Sequence, residues 1–116
     1  MNKRRFGIIG EKIAQNYLKN KGYKIIETNF YTRKGEIDII AQKDKCIIFA
    51  EIKTRNNFEY GTPAMAVNAI KKTHIKNSAK IYIHINKLYG WNVRFDVIEV
   101  IIKSGKCQIN HIENIM

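Results

Sequence analysis

GEIDIIAQKDKCIIFAEIKT, residues 35–54, decides the fold. Two isoleucine-rich runs, Gly35 to Ala41 and Cys46 to Thr54, flank a short polar segment, the pattern of two strands joined by a tight turn. Side chains alternate along a strand, so Glu36 and Asp38 share one face, and Glu51 and Lys53 share a face of the next strand. With Asp44 and Lys45 as the two central turn residues, the numbers of antiparallel partners sum to 89. Asp38 then stands opposite Glu51, and Glu36 opposite Lys53. Like charges directly opposite each other destabilise a sheet, and buried carboxylates are costly unless a cation bridges them. A divalent ion held by Asp38 and Glu51 supplies that bridge, and hard oxygen ligands suit Mg²⁺ or Mn²⁺. The competing arrangement is a solvated ladder with a slipped register and Lys53 paired to Glu36. Ile37, Ile39, Ile48, Ala50 and Ile52 line the opposite face, so both strands are expected to be at least half buried.

Upstream, Phe6 to Lys21 has helical periodicity and is closed by Gly22. Phe6, Ile9, Ile13, Ala14, Tyr17 and Leu18 cover one arc of its wheel, with Glu11 at the arc's edge, able to face the sheet. Tyr23 to Tyr31 reads as a strand. Downstream, Asn56 to Gly61 is expected to be a loop. Thr62-Pro63 is a helix start, and Val67, Ile70, Ile75, Ala79 and Tyr82 mark a helix running to about Ile85. Trp91 to Ile102 is a long strand and Cys107 to Ile112 a final edge strand. The order α-β-β-β-α-β-β predicts an α/β or α+β domain built on a mixed sheet.

The chain has 116 residues, the size of one small domain, read here as a single unit over 1–116. It carries 21 Lys or Arg against 10 Asp or Glu, a formal charge of +11. Lys outnumbers Arg 16 to 5, beside 22 Ile and 12 Asn, which has the look of an AT-rich coding bias, so part of the lysine is surface filling. The scarcity of acids is not explained that way, and a basic excess of this size favours polyanions: DNA, RNA or an anionic membrane surface. No apolar run approaches the ~18 residues of a membrane span, and Glu11 and Lys12 interrupt any signal-peptide core. Cys46 and Cys107 are far apart and in no CxxC, which points to neither disulfides nor zinc. Together these features predict a cytoplasmic protein that is not membrane-bound; the lysine-rich helix lacks the Trp or Phe anchors of a membrane-surface helix.

Lys72, Lys76 and Lys80 recur every four residues on the second helix, a stripe of like charges that costs a few tenths of a kcal/mol per pair without an anion nearby. Arg33 and Lys34 precede the GEID strand and Arg55 follows the EIK, at the strand ends where a phosphodiester backbone is within reach. Arg94 and Asp96 share a strand face as a structural ion pair. His74, His84 and His111 show no metal-ligand spacing with the cysteines. Tyr31, Phe58 and Tyr60 are expected in core or rim packing, although rings of this kind also stack on unpaired bases.

Asp38, twelve intervening residues and then Glu51-Ile52-Lys53 resembles the PD-(D/E)xK nuclease signature. More closely, GEKIAQNYLKNKGYKI (10–25), GEIDII (35–40), FAEIKTR (49–55), GTPAMAV (61–67) and RFDVI (94–98) resemble the YraN family, small bacterial proteins related to Holliday-junction-resolvase-like endonucleases. Ala50 departs from the Val common there. The resemblance implies a restriction-endonuclease-like mixed sheet flanked by helices. It implies Glu11 as the first-helix acid, Asp38 and Glu51 with the Ile52 carbonyl as metal ligands, Lys53 as the catalytic lysine, and Glu36 as part of the same motif. A metal-dependent DNA endonuclease is the activity that follows, with branched DNA among its substrates and a homodimer as a form suited to cutting two strands. Lys53, beside carboxylates, is expected to stay protonated. The rival is a non-catalytic nucleic-acid-binding module on the same fold.

Overall fold

The computed structural model describes residues 2–56 and 69–115. The order is α1 (Lys3–Asn20), β1 (Lys24–Thr32), β2 (Gly35–Lys43), β3 (Cys46–Arg55), α2 (Ala69–Ile85), β4 (Asn92–Lys103) and β5 (Lys106–Ile112). This is the predicted α+β order. The expected loop beyond Asn56, the Thr62-Pro63 helix start, Phe58, Tyr60 and Val67 lie outside the described residues.

Local chemistry explains the ends of the elements. Asn2 caps α1 by accepting the Arg5 N–H at 2.8 Å. At the other end Gly22, at φ +91°, donates to the Lys19 carbonyl and Tyr23 donates to that of Leu18. This is a Schellman stop, with buried Tyr23 against buried Leu18 as its apolar contact. Asp44 and Lys45 sit at φ 50° and 60°, and Ser104 and Gly105 at 52° and 75°. Both pairs are two-residue turns whose positive φ values match the twist of a hairpin.

The five strands stand in sequence order across one sheet. β3 and β4 run parallel, connected through α2, and the other neighbours are antiparallel. α1 covers one face, where Ala14 and Leu18 pack on Ile39, Ala41, Ile48, Ala50, Ile52, Ile98 and Val100. α2 covers the other, where Ala79 and Tyr82 pack on Ile37, Ile40, Ile47 and Phe49. Each large apolar side chain so buried contributes about 1.5–3 kcal/mol. Ile70, expected on the apolar face of α2, is instead 69% exposed; the core-facing row begins at Ile75. Arg94 and Asp96 form the expected ion pair, and the fully buried Asp96 carboxylate also takes hydrogen bonds from His111 Nε2 at 2.7 Å and Asn114 N at 3.0 Å. Burial alone would raise the Asp96 pKa; His111, Arg94 and the Asn114 N–H outweigh it and hold the pKa below the usual range.

Candidate active site

The hairpin register is the one its turn dictates. The β2–β3 ladder runs from Lys43↔Cys46 to Ile39↔Ala50, all with partners summing to 89. There it stops. The expected Asp38–Glu51 and Glu36–Lys53 rungs do not form, because the Asp38 side chain takes the place of the next backbone bond: Oδ2 accepts the Ile52 N–H at 2.8 Å.

The alternation of β2 slips at the same residue. Ile37 packs under α2, whereas Ile39, two residues on, packs under α1. Residues two apart on a regular strand share a face, so the expected single apolar row from Ile37 to Ile39 is corrected here. The cause lies in β1. Asn29 falls opposite Asp38, between the pairs Thr28↔Ile39 and Phe30↔Ile37, and its φ is +52°. A left-handed residue in mid-strand rolls the ladder, and asparagine is one of the few side chains that tolerate it.

The parted strands and α1 enclose an open cavity of about 610 Å³, lined in part by Glu11, Glu36, Asp38, Glu51, Ile52 and Lys53. Every residue expected at the catalytic centre therefore meets in one place. Glu11 arrives because α1 crosses β3 closely at Gly10, where a Cβ would lie 1.8 Å from Thr54 Oγ1. Glu11, Glu36 and Asp38 each bring a carboxylate oxygen within 4.8 Å of the others. Asn29 Nδ2 donates to Glu11 Oε1 at 3.2 Å and to Glu36 Oε1 at 3.0 Å, bridging two of them. Exposed Tyr31 stands opposite Glu36 in the β1–β2 register.

Glu51 is buried and faces cations. Lys53 Nζ lies 3.6 Å from Glu51 Oε1, and Lys71 Nζ from α2 lies at 2.5 Å. Lys71 belongs to none of the motifs read from the sequence. The electrostatics follow from crowding. Burial, then the Glu51 charge, push the Asp38 pKa up to about 8 against the pull of the Ile52 N–H, and Glu11 and Glu36 add to the rise. Burial also raises the Glu11 pKa. At Lys53 burial pushes the pKa down, Glu51 pulls it up, and Lys71 reinforces the fall. For Lys71, burial acts downward but the bonds to Glu51 and that carboxylate's charge prevail, and its pKa rises.

The expected nucleic-acid contacts separate into two groups. Arg33 and Lys34 are exposed in the β1–β2 turn, which a 2.8 Å bond between the Thr32 and Ser78 hydroxyls pins against α2. Lys76 and Lys80 are exposed on that helix and Lys72 is half-buried; none of the three lines the cavity. Arg55 does line it, but its Nε lies against buried Glu99 at 2.5 Å. Asn29, Lys71 and Glu99 were missed. Asn29 alone left a local trace, as a strand-averse residue inside a strand; the other two become visible only when elements pack. No helix among the described residues is long and apolar enough to cross a membrane.

The donor set consists of hard carboxylate oxygens, one of which burial and the Glu51 charge keep protonated to unusually high pH. That fits a divalent ion of the Mg²⁺ or Mn²⁺ type.

The model of the uncharacterised protein family UPF0102 matches residues 10–100. A UPF0102 protein of Alkaliphilus oremlandii is 49% identical over 116 residues, covering 98% of both chains. Those of Syntrophomonas wolfei and Carboxydothermus hydrogenoformans are 41% and 40% identical, over 96% of both chains and over 100% of this chain and 98% of the other, respectively. With a family match through both site strands and relatives of equal length, the chain belongs to the family UPF0102, the YraN family.

Proposed function

We propose that this protein is a metal-dependent endonuclease that hydrolyses phosphodiester bonds of DNA, with branched or otherwise structured DNA as its substrate class. The observation that carries the reading is Asp38: a carboxylate placed among three others, at the point where the strands part and in a cavity that Lys53 also lines, with its pKa raised to about 8. Such crowding is costly in a purely structural role and is relieved by a divalent cation. Asp38, Glu51 and the Ile52 carbonyl are the residues that would hold it, with Glu11 and Glu36 beside them. A bound divalent ion supplies an activated water and charge neutralisation at the scissile phosphate.

The chain's own groups do the rest. Asn29 fixes the rotamers of Glu11 and Glu36 before substrate arrives, so less ordering remains to be done on binding. Lys53, half-buried beside Glu51, orients the attacking water and stabilises the charge that develops on phosphorus. Arg33 and Lys34 grip the flanking backbone at the rim. Cutting both strands symmetrically calls for two such sites, as in a homodimer.

The test is a Mg²⁺ and Mn²⁺ cleavage panel over linear, flapped and four-way DNA, with Asp38→Ala and Glu51→Ala as controls. Metal-dependent cutting lost in both variants is the expected result; cutting that persists unchanged in the purified variants rules the assignment out. The Lys71–Glu51 contact favours a second reading, a nucleic-acid-binding module without catalysis, since it neutralises one ligand without a metal. Salt-sensitive binding with no cleavage on any substrate would select it.

A further inference from the structure

Lys71 stands where an incoming cation would have to compete. Its ammonium is 2.5 Å from Glu51 Oε1, closer than Lys53 at 3.6 Å, and it comes from a different element. The Glu51 side chain is 8% exposed and that of Lys71 38%, so a carboxylate shielded from water is reached by a lysine that still has access to it. Lys71 also feels the charge of Asp38. The centre thus holds four carboxyl groups and two lysine amines, a formal charge of −2 that one divalent ion balances.

We propose, resting on the nuclease reading, that Lys71 is a displaceable internal cation: it neutralises Glu51 in the metal-free protein and yields it when a divalent ion binds. Lys71 is then a positioning residue that sets how readily the centre loads. A flexible, partly hydrated ammonium is suited to this, because it can swing out to water without leaving a buried charge behind. A guanidinium at the same place, with its fork of donors, would keep the contact. Metal entry is therefore opposed by the cost of breaking one ion pair, and a substrate phosphate arriving with the metal lowers that cost by offering the released ammonium a new anion. Metal and DNA binding are coupled positively through one side chain.

Mn²⁺ titrations without DNA, read by the electron paramagnetic resonance of the free ion, test this without any activity assay. Lys71→Met and Lys71→Gln are expected to bind Mn²⁺ about three- to tenfold tighter than wild type, the range that loss of one partly exposed ion pair allows. Lys71→Arg, whose fork of donors holds Glu51, is expected to bind Mn²⁺ more weakly than wild type. Addition of a short uncleavable DNA should tighten Mn²⁺ binding in wild type and do so less in Lys71→Met. Equal or weaker Mn²⁺ binding by both neutral variants overturns the proposal. Asp38→Asn in parallel separates the two levels. Wild-type binding that depends on Asp38 but not on Lys71 removes only the role of Lys71; binding indifferent to Asp38, or no binding at all, removes the nuclease reading together with it.

Discussion

Asp38 performs two tasks at once. Its Oδ2 accepts the Ile52 N–H that the β-ladder gives up, and its charge meets those of Glu51, Glu11 and Glu36. The result is a folded-state pKa of about 8 against an unfolded value near 3.9. The sign of the linkage follows. The folded chain holds this proton more tightly than the unfolded one, so the associated stability is complete below about pH 4 and is lost as pH rises through 8. Metal-free wild type should therefore lose thermal stability between pH 5 and 8, by an amount on the order of a few kcal/mol. Asp38→Asn, which can still accept from Ile52, should flatten the profile and melt higher than wild type at pH 8. Mg²⁺ should raise the wild-type melting temperature most at the alkaline end. Equal slopes in the two proteins would refute this. Asp96, with its pKa held low, acts in the opposite sense: its contribution is present above its unfolded pKa and lost only as pH falls below it. The acids of the centre were legible because carboxylates are scarce here and strand spacing places them. Lys71 was not, because one lysine among 16 says nothing until α2 packs beside β3.

At the scale of elements, what brings helix and sheet chemistry together is the crossing of α1 over β3. A methyl at Gly10 would overlap Thr54, so the helix must lift or tilt to accept it. Overpacking of this kind costs about 1–3 kcal/mol, and here it also moves Glu11, the next residue, away from Glu36 and Asp38. Gly10→Ala is expected to lower the denaturation midpoint and weaken Mn²⁺ binding together, whereas adding Thr54→Ala should recover only part of both, because the Cβ of residue 54 would still lie 2.8 Å from the new methyl. If Gly10→Ala leaves stability and metal affinity unchanged, close approach at this crossing is not what sets the position of Glu11. The turns and register were readable in advance because they depend on neighbouring residues: Asp44-Lys45 sets the pairing down to Ile39↔Ala50. The roll of β2 was not, since it depends on the positive φ of Asn29 on another strand. A strict period of two placed Ile37 on the face it does not occupy.

Across the whole molecule, the charge of +11 resolves into a centre of −2 and a surround of nineteen basic and six acidic residues. Three of those six acids are already committed: Asp96 and Glu113 to Arg94, and Glu99 to Arg55. Arg33, Lys34, Lys76 and Lys80 make no ion pair among the described residues, and the Thr32–Ser78 bond keeps the first two beside the helix that carries the others. On the proposed reading such a surround would attract DNA without reading its sequence, by releasing condensed counterions. It is therefore measured by the salt dependence of affinity. Arg33→Gln with Lys34→Gln is expected to reduce the slope of log affinity against log salt by about two, roughly one per lost phosphate contact. Lys76→Gln with Lys80→Gln should do the same only if α2 also meets the backbone, which separates a functional stripe from surface filling by composition. Lys106→Gln, on the exposed first residue of the far edge strand, should leave the slope unchanged. Cleavage under saturating DNA should be little altered in all three, because none of these residues lines the cavity. A slope that falls equally for the rim and the Lys106 variants would mean that the basic body binds diffusely and that the turn has no special grip on DNA.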